Sequence, residues 1–210
     1  MVASALATLG NCANIQSIIQ ILWDMNIIEV LLTHANSPVQ HICIPALVLL
    51  GLLSIDVNEG SIMMNGNQVS ALHGALTDAT SSTSLTTVVG YFRMTAMELL
   101  RGLNGLALNK KNAILFVENG ILPVLTKILS VGNASNKQTA VEFLWTLALE
   151  TNIRKEISTT ILKVQEAPGS LFTTEPRSES LILAAKCALL QINGWNQLEG
   201  TNVHMLLFHT

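Results

Sequence analysis

The chain has 210 residues, of which 50% are hydrophobic, 4% aromatic and 12% charged, and its net charge is −3. Eleven Lys and Arg against fourteen Asp and Glu, with no basic stripe, argue against a nucleic-acid binder. Three widely spaced cysteines, Cys12, Cys43 and Cys187, each lie inside an apolar pattern, which fits buried free thiols in a reducing, cytoplasmic compartment.

Met1 to Gly10 reads as the last helix of a unit whose earlier helices are missing. The chain is therefore expected to begin within an array, with an uncapped apolar face of Val2, Ala5, Leu6 and Leu9 through which it self-associates. No basic leader precedes these residues, so a signal peptide is not expected. Asn26 then stands where a helix must break, because asparagine tolerates left-handed backbone. Ile27, Ile28, Val30, Leu31 and Leu32 come next, and Pro38 to Ser54 carry a longer helix. The uncharged run Ile42–Ile55 within that helix is interrupted by Pro45 and Gly51. It also falls short of the roughly twenty residues that cross a bilayer, so no membrane span is expected.

A second unit is expected over residues 56–108. Gly66 is its candidate hinge and Val69, Leu72 and Leu76 its next apolar stripe. Thr77–Thr87 is rich in Ser and Thr and reads as an inserted loop, after which a helix runs through Arg101. The third unit, 109–150, is the clearest. Ala113, Ile114, Phe116 and Val117 stop at Gly120, and a new helix opens at Ile121 with Pro123 in its first turn. After the polar Ser130–Lys137 stretch, Ala140, Val141, Phe143, Leu144, Leu147 and Ala148 recur at steps of three and four. Beyond Thr151 the pattern decays through Ala167-Pro168-Gly169 and Glu175-Pro176, and Leu181–Ile192 restores one helix of a degenerate unit over 151–193.

Aligning the last helix of every unit gives anchors at Ser4, Leu47, Arg101, Trp145 and Cys187, about 43, 54, 44 and 42 residues apart. Such spacing is that of armadillo and HEAT arrays, roughly 40–47 residues, with the one long interval holding the Ser/Thr-rich insertion. Asn119 to Leu125 and Ala140 to Ala148 resemble the Gly-Ile-Pro-x-Leu second helix and the Ala-x-x-Leu-Trp-x-Leu third helix of the armadillo repeat family. The resemblance covers about residues 2–193, and a repeat domain is expected over 1–193 with its first unit over about 2–55. It implies an all-α, right-handed α-α superhelix, an armadillo-like solenoid of about 3.5–4 repeats.

Nothing in the chain reads as catalytic, and no cofactor or metal is expected. His41-x-Cys43 is not a metal pair, since two residues on a helix stand about 200° apart. Asn65-Gly66-Asn67 and Gly102 to Gly105 lack the order of a phosphate loop. Asn133-Ala134-Ser135 matches a glycosylation sequon, a three-residue pattern that chance supplies in most chains of this length. Lys110-Lys111 reads as a solvated helix start.

The expected functional surface is instead the concave face of the stacked third helices, holding a protein or peptide partner. Positions −7, −4, −3, 0 and +4 from each anchor share a helix face. They give Met94, Met97, Glu98, Arg101 and Gly105 in the second unit, and Gln138, Val141, Glu142, Trp145 and Leu149 in the third. The pairs Leu47/Gly51, Arg101/Gly105, Trp145/Leu149 and Cys187/Gln191 lack the asparagine ladder of importin-α-like import adaptors. Rows of Lys and Arg, as in β-catenin-like grooves, are missing too. A non-catalytic interaction scaffold is the leading expectation. The alternative is the regulatory armadillo region of a truncated TIR-domain signalling protein or NADase, because the tail over 194–210 contains Asn202 to His209, an apolar run similar to a TIR domain's first strand.

Overall fold

The computed structural model describes residues 2–13, 15–57 and 62–157. The expected unit over 151–193, apart from its first residues, and the tail over 194–210 lie outside them.

The described chain is mostly helical, as an all-α expectation requires. In order it forms α1 (Val2–Cys12), α2 (Gln16–Asp24), α3 (Ile27–Ala35), α4 (Gln40–Val57), α5 (Gly66–Ser81), β1 (Thr86–Val89), β2 (Phe92–Thr95), α6 (Ala96–Leu106), α7 (Lys110–Glu118), α8 (Ile121–Val131) and α9 (Ala134–Ala148), then a 3-10 turn at Thr151–Ile153. The two helix breaks expected at Asn26 and Gly120 are both left-handed, with φ of 51° and 82°. A residue at positive φ turns the chain out of the helical path, so α2 and α3 meet at 85° and α7 and α8 at 80°. Gly66 does not act this way. It is the first residue of α5, which opens with a capping box: Asn65 Oδ1 accepts from the Gln68 N–H at 3.0 Å and Gln68 Oε1 accepts from the Asn65 N–H at 2.9 Å.

The Ser/Thr-rich segment also departs from expectation. The helix runs on through Ser81, and the hydroxyls of Thr77, Thr80 and Ser81 donate to carbonyls one turn back, at 2.8, 2.8 and 3.0 Å. The chain then forms an antiparallel hairpin, with Val89 paired to Phe92 and Thr86 to Thr95. Its two-residue turn, Gly90-Tyr91, has positive φ only at Gly90, the type II′ pattern that suits the twist of the strands. Met94 therefore sits in a strand and the helix after it begins only at Ala96.

Four helices pack as a row, α1 against α4, α4 against α6, and α6 against α9. Every residue of α4 from Cys43 to Ser54 is buried, which accounts for the uncharged run: a helix covered on all sides needs no polar face. No single described helix is long and apolar enough to cross a membrane. Leu6 of the expected uncapped face is buried and Leu9 packs against the core, so of that face only Val2 and Ala5 stay exposed.

Two glycines set the α4–α6 distance. A Cβ on Gly51 would overlap the Gly102 carbonyl oxygen, and a Cβ on Gly102 would lie 2.8 Å from the Val48 Cα. Between segments distant in sequence, polar side chains act as struts. Asn112, fully buried, donates through Nδ2 to the Ile62 and Leu106 carbonyls at 2.7 and 2.8 Å and accepts the Met64 N–H at 2.8 Å. Gln68 Nε2 donates to the Ala35 carbonyl at 3.0 Å and to Asn36 Oδ1 at 3.2 Å. Gly51→Ala and Gly102→Ala are each expected to lower stability by about 1–3 kcal/mol through overpacking. In α5, where a Cβ on Gly74 would meet nothing within 4 Å, Gly74→Ala should raise it by up to about 1 kcal/mol. Urea midpoints at constant slope measure all three.

Candidate functional site

Along the row, α1, α4 and α6 leave a cleft of about 240 Å³ whose far wall is the hairpin. Leu6 and Ala7 come from α1, Pro45, Val48 and Leu52 from α4, Phe92, Arg93 and Met94 from β2, and Glu98 and Arg101 from α6. Pro45 lies beyond the first turn of α4 and has no N–H to give the His41 carbonyl. A second hollow, of about 400 Å³, shares Tyr91 and Phe92 with the first and extends to Val2 and His41.

The hairpin is fastened at both ends. At its tip, Gly90 fits against the His41 side chain, where a Cβ would overlap His41 Cβ, and the Tyr91 ring meets the imidazole edge-on at 5.9 Å. At its base the Ala96 N–H donates to the Leu85 carbonyl at 2.8 Å. Leu85 itself is left-handed, φ 51°, a conformation that costs a branched side chain about 1–2 kcal/mol. Its side chain is buried, which offsets that cost.

Of the residues expected in the site, Met94, Glu98 and Arg101 line the cleft. Met94 does so from β2, not from a helix. Glu98 is committed locally: its Oε2 accepts from the Thr95 N–H at 2.7 Å and from Thr95 Oγ1 at 2.8 Å, while Thr95 Oγ1 accepts the Glu98 N–H at 3.1 Å, a capping box that starts α6. Met97 turns toward α9, where its sulfur accepts from Ser135 Oγ at 3.1 Å. Gly105 and Val141 are buried and offer no surface. Gln138 and Glu142 are exposed and joined by a hydrogen bond of 3.0 Å; Trp145 is half-buried, and Leu149, which caps α9, is exposed. These α9 residues do not line the cleft.

Among the lining residues that the helical alignment missed are Ala7, Phe92 and Arg93. A signal for the latter two was present: Thr86-Thr87-Val88-Val89-Gly90-Tyr91-Phe92 is a β-branched and aromatic run around one glycine, a hairpin pattern. Charge distribution is a second signal. Residues 1–92 carry five carboxylates and no Lys or Arg, so Arg93 is the first cation of the chain. Lys110 and Lys111 are exposed in the first turn of α7, where Asn109 caps the helix.

Elsewhere the side chains of interest diverge. Cys43 Sγ donates to the Ala35 carbonyl at 3.1 Å while His41 faces Tyr91, so the two do not converge. Burial pushes the Cys43 thiol above its usual pKa, which lowers its thiolate fraction at neutral pH. Among the described residues no three His, Cys, Asp or Glu gather to hold a metal ion.

A scan against models of known protein families and a search of curated proteins each found no match.

In a Cys187→Ser background, Cys12, which is half-exposed, should react readily with an aromatic disulfide reagent, whereas Cys43 should react only as the fold opens. Labelling followed by absorbance, with and without denaturant, gives the two rates. Equal rates would show that the α3–α4 junction opens freely.

Proposed function

We propose that this protein is a non-catalytic binding scaffold, an armadillo-like right-handed superhelix that holds a protein partner along the row α1–α4–α6–α9. The observation that carries the reading is the cleft itself: an apolar floor, edged by a few polar and charged side chains, formed where α1, α4 and α6 stack beside the hairpin. The two left-handed hinges, 94 positions apart, and the parallel role of α4, α6 and α9 support a repeated unit. A cytoplasmic setting goes with this reading, supported by Cys43, which is buried as a free thiol.

A photo-crosslinking amino acid placed in the chain tests it in cells. Replacing Arg101, Glu142 or Trp145, on the row, should give partner adducts. Replacing Val30 on α3 or Lys127 on α8, both exposed on the outer helices, should not. Adducts from the outer positions alone would overturn the reading.

A further inference from the structure

The edge of β2 says what kind of partner the cleft takes. Phe92, Arg93 and Met94 all line it, and no residue of β1 does. Successive side chains on a strand point to opposite faces, so three in a row line one space only where that space runs along the strand's edge.

The ladder identifies the backbone groups on that edge. A two-residue turn makes Val89 and Phe92 a hydrogen-bonded pair, and bonded and non-bonded pairs alternate down an antiparallel ladder. The Ala96–Leu85 bond continues the same alternation. Arg93 and Thr95 thus belong to non-bonded pairs, with their N–H and C=O aimed away from β1. The Thr95 N–H is taken by Glu98. For Arg93, neither backbone group is bonded by any described residue, and its exposed guanidinium makes no ion pair among them.

The surroundings select the chemistry. Arg93 and Arg101 bring two cations to the cleft, whereas its one carboxylate, Glu98, accepts two hydrogen bonds from Thr95. Asp24, Glu29 and Asp78 sit on α2, α3 and α5 and do not line it. Phe92 and Met94 share the face of the hairpin opposite to Arg93 and adjoin the apolar floor of Leu6 and Val48.

We propose that the cleft binds an extended peptide as a third strand on β2, with a carboxylate side chain opposite Arg93 and apolar side chains on either side of it. A residue paired with Arg93 exchanges N–H and C=O bonds with it and places its side chain on the Arg93 face, where opposite charges across a pair attract. Its two neighbours then point to the Phe92 and Met94 face. The recognised pattern is apolar–acidic–apolar, the signature of strand addition with alternating specificity.

This rests on the scaffold reading of the cleft, and the test separates the two. A phage library of random dodecapeptides is selected on the full chain, on Arg93→Glu and on Ala7→Trp, each checked for a native helical spectrum. Should Ala7→Trp unfold, Gly10→Leu replaces it, since a Cβ there meets nothing within 4 Å. The native chain should enrich the apolar–acidic–apolar pattern, Arg93→Glu should move the central position to Lys or Arg, and the filled cleft should lose enrichment. In fluorescence polarisation, N-methylation of the acidic residue of a selected peptide should weaken binding at least tenfold, and N-methylation of its neighbour much less. An empty selection, a centre indifferent to Arg93→Glu, or equal effects of the two N-methyl groups would overturn strand addition. Enrichment that survives the filled cleft would overturn the scaffold reading as well.

Discussion

The contact between Gly51 and Gly102 is the constraint on which the rest of the arrangement depends. Two helices ordinarily keep 8–10 Å between their axes because side chains stand between them. Here backbone meets backbone, with the Gly102 carbonyl in the space a side chain on Gly51 would need. That close approach draws α6 onto α4 and makes their contact the most extensive between any two described elements. β2 leads directly into α6, and the hairpin forms a wall of the cleft beside α4. A larger residue at either site would push that wall outward.

Long-range polar bonds then join helices distant in sequence. Asn112 bridges the segment before α5 to the end of α6, and Gln68 ties the start of α5 to the end of α3. Each is buried, and each uses its amide in both senses, as donor and acceptor, so that backbone groups at helix ends find partners without water. They span 48 and 50 residues of sequence for Asn112 and 33 for Gln68. Such bonds fix one helix against another in a way that apolar packing, which tolerates sliding, does not.

Much of this organisation was legible in the chain because it rests on local backbone chemistry. A glycine or asparagine between two apolar stripes has few other uses than to turn the path, and Asn26 and Gly120 do so. Gly66 fails the same test because its predecessor Asn65 and Gln68 two residues later supply a helix start that needs no positive φ. The Ser and Thr of 77–87 drew the reading toward a loop, since these residues serve loops, helix termini and strands alike, and the β-branched run Thr86–Val89 before Gly90 was the signal that went unused. Gly105 and Val141 were misplaced for a different reason. Ideal helical spacing gives the face of a residue but not which neighbour covers it, and that depends on how closely the adjacent helix approaches. The cleft's Arg93 could not be found from helix geometry at all, since it is not on a helix.

The hairpin's two fastenings, His41 against Gly90 and Tyr91 at the tip and Leu85 against Ala96 at the base, have a consequence for the entropy of binding. A strand held at both ends has its torsions already set before any ligand arrives, so the conformational loss on association falls on the incoming segment. A flexible segment forfeits roughly 1–2 kcal/mol for each backbone residue it orders. Affinity in such a cleft is therefore governed less by the receptor than by how extended its ligand is when free, and β-branched residues or a cyclised backbone in the ligand would strengthen binding without adding a single contact.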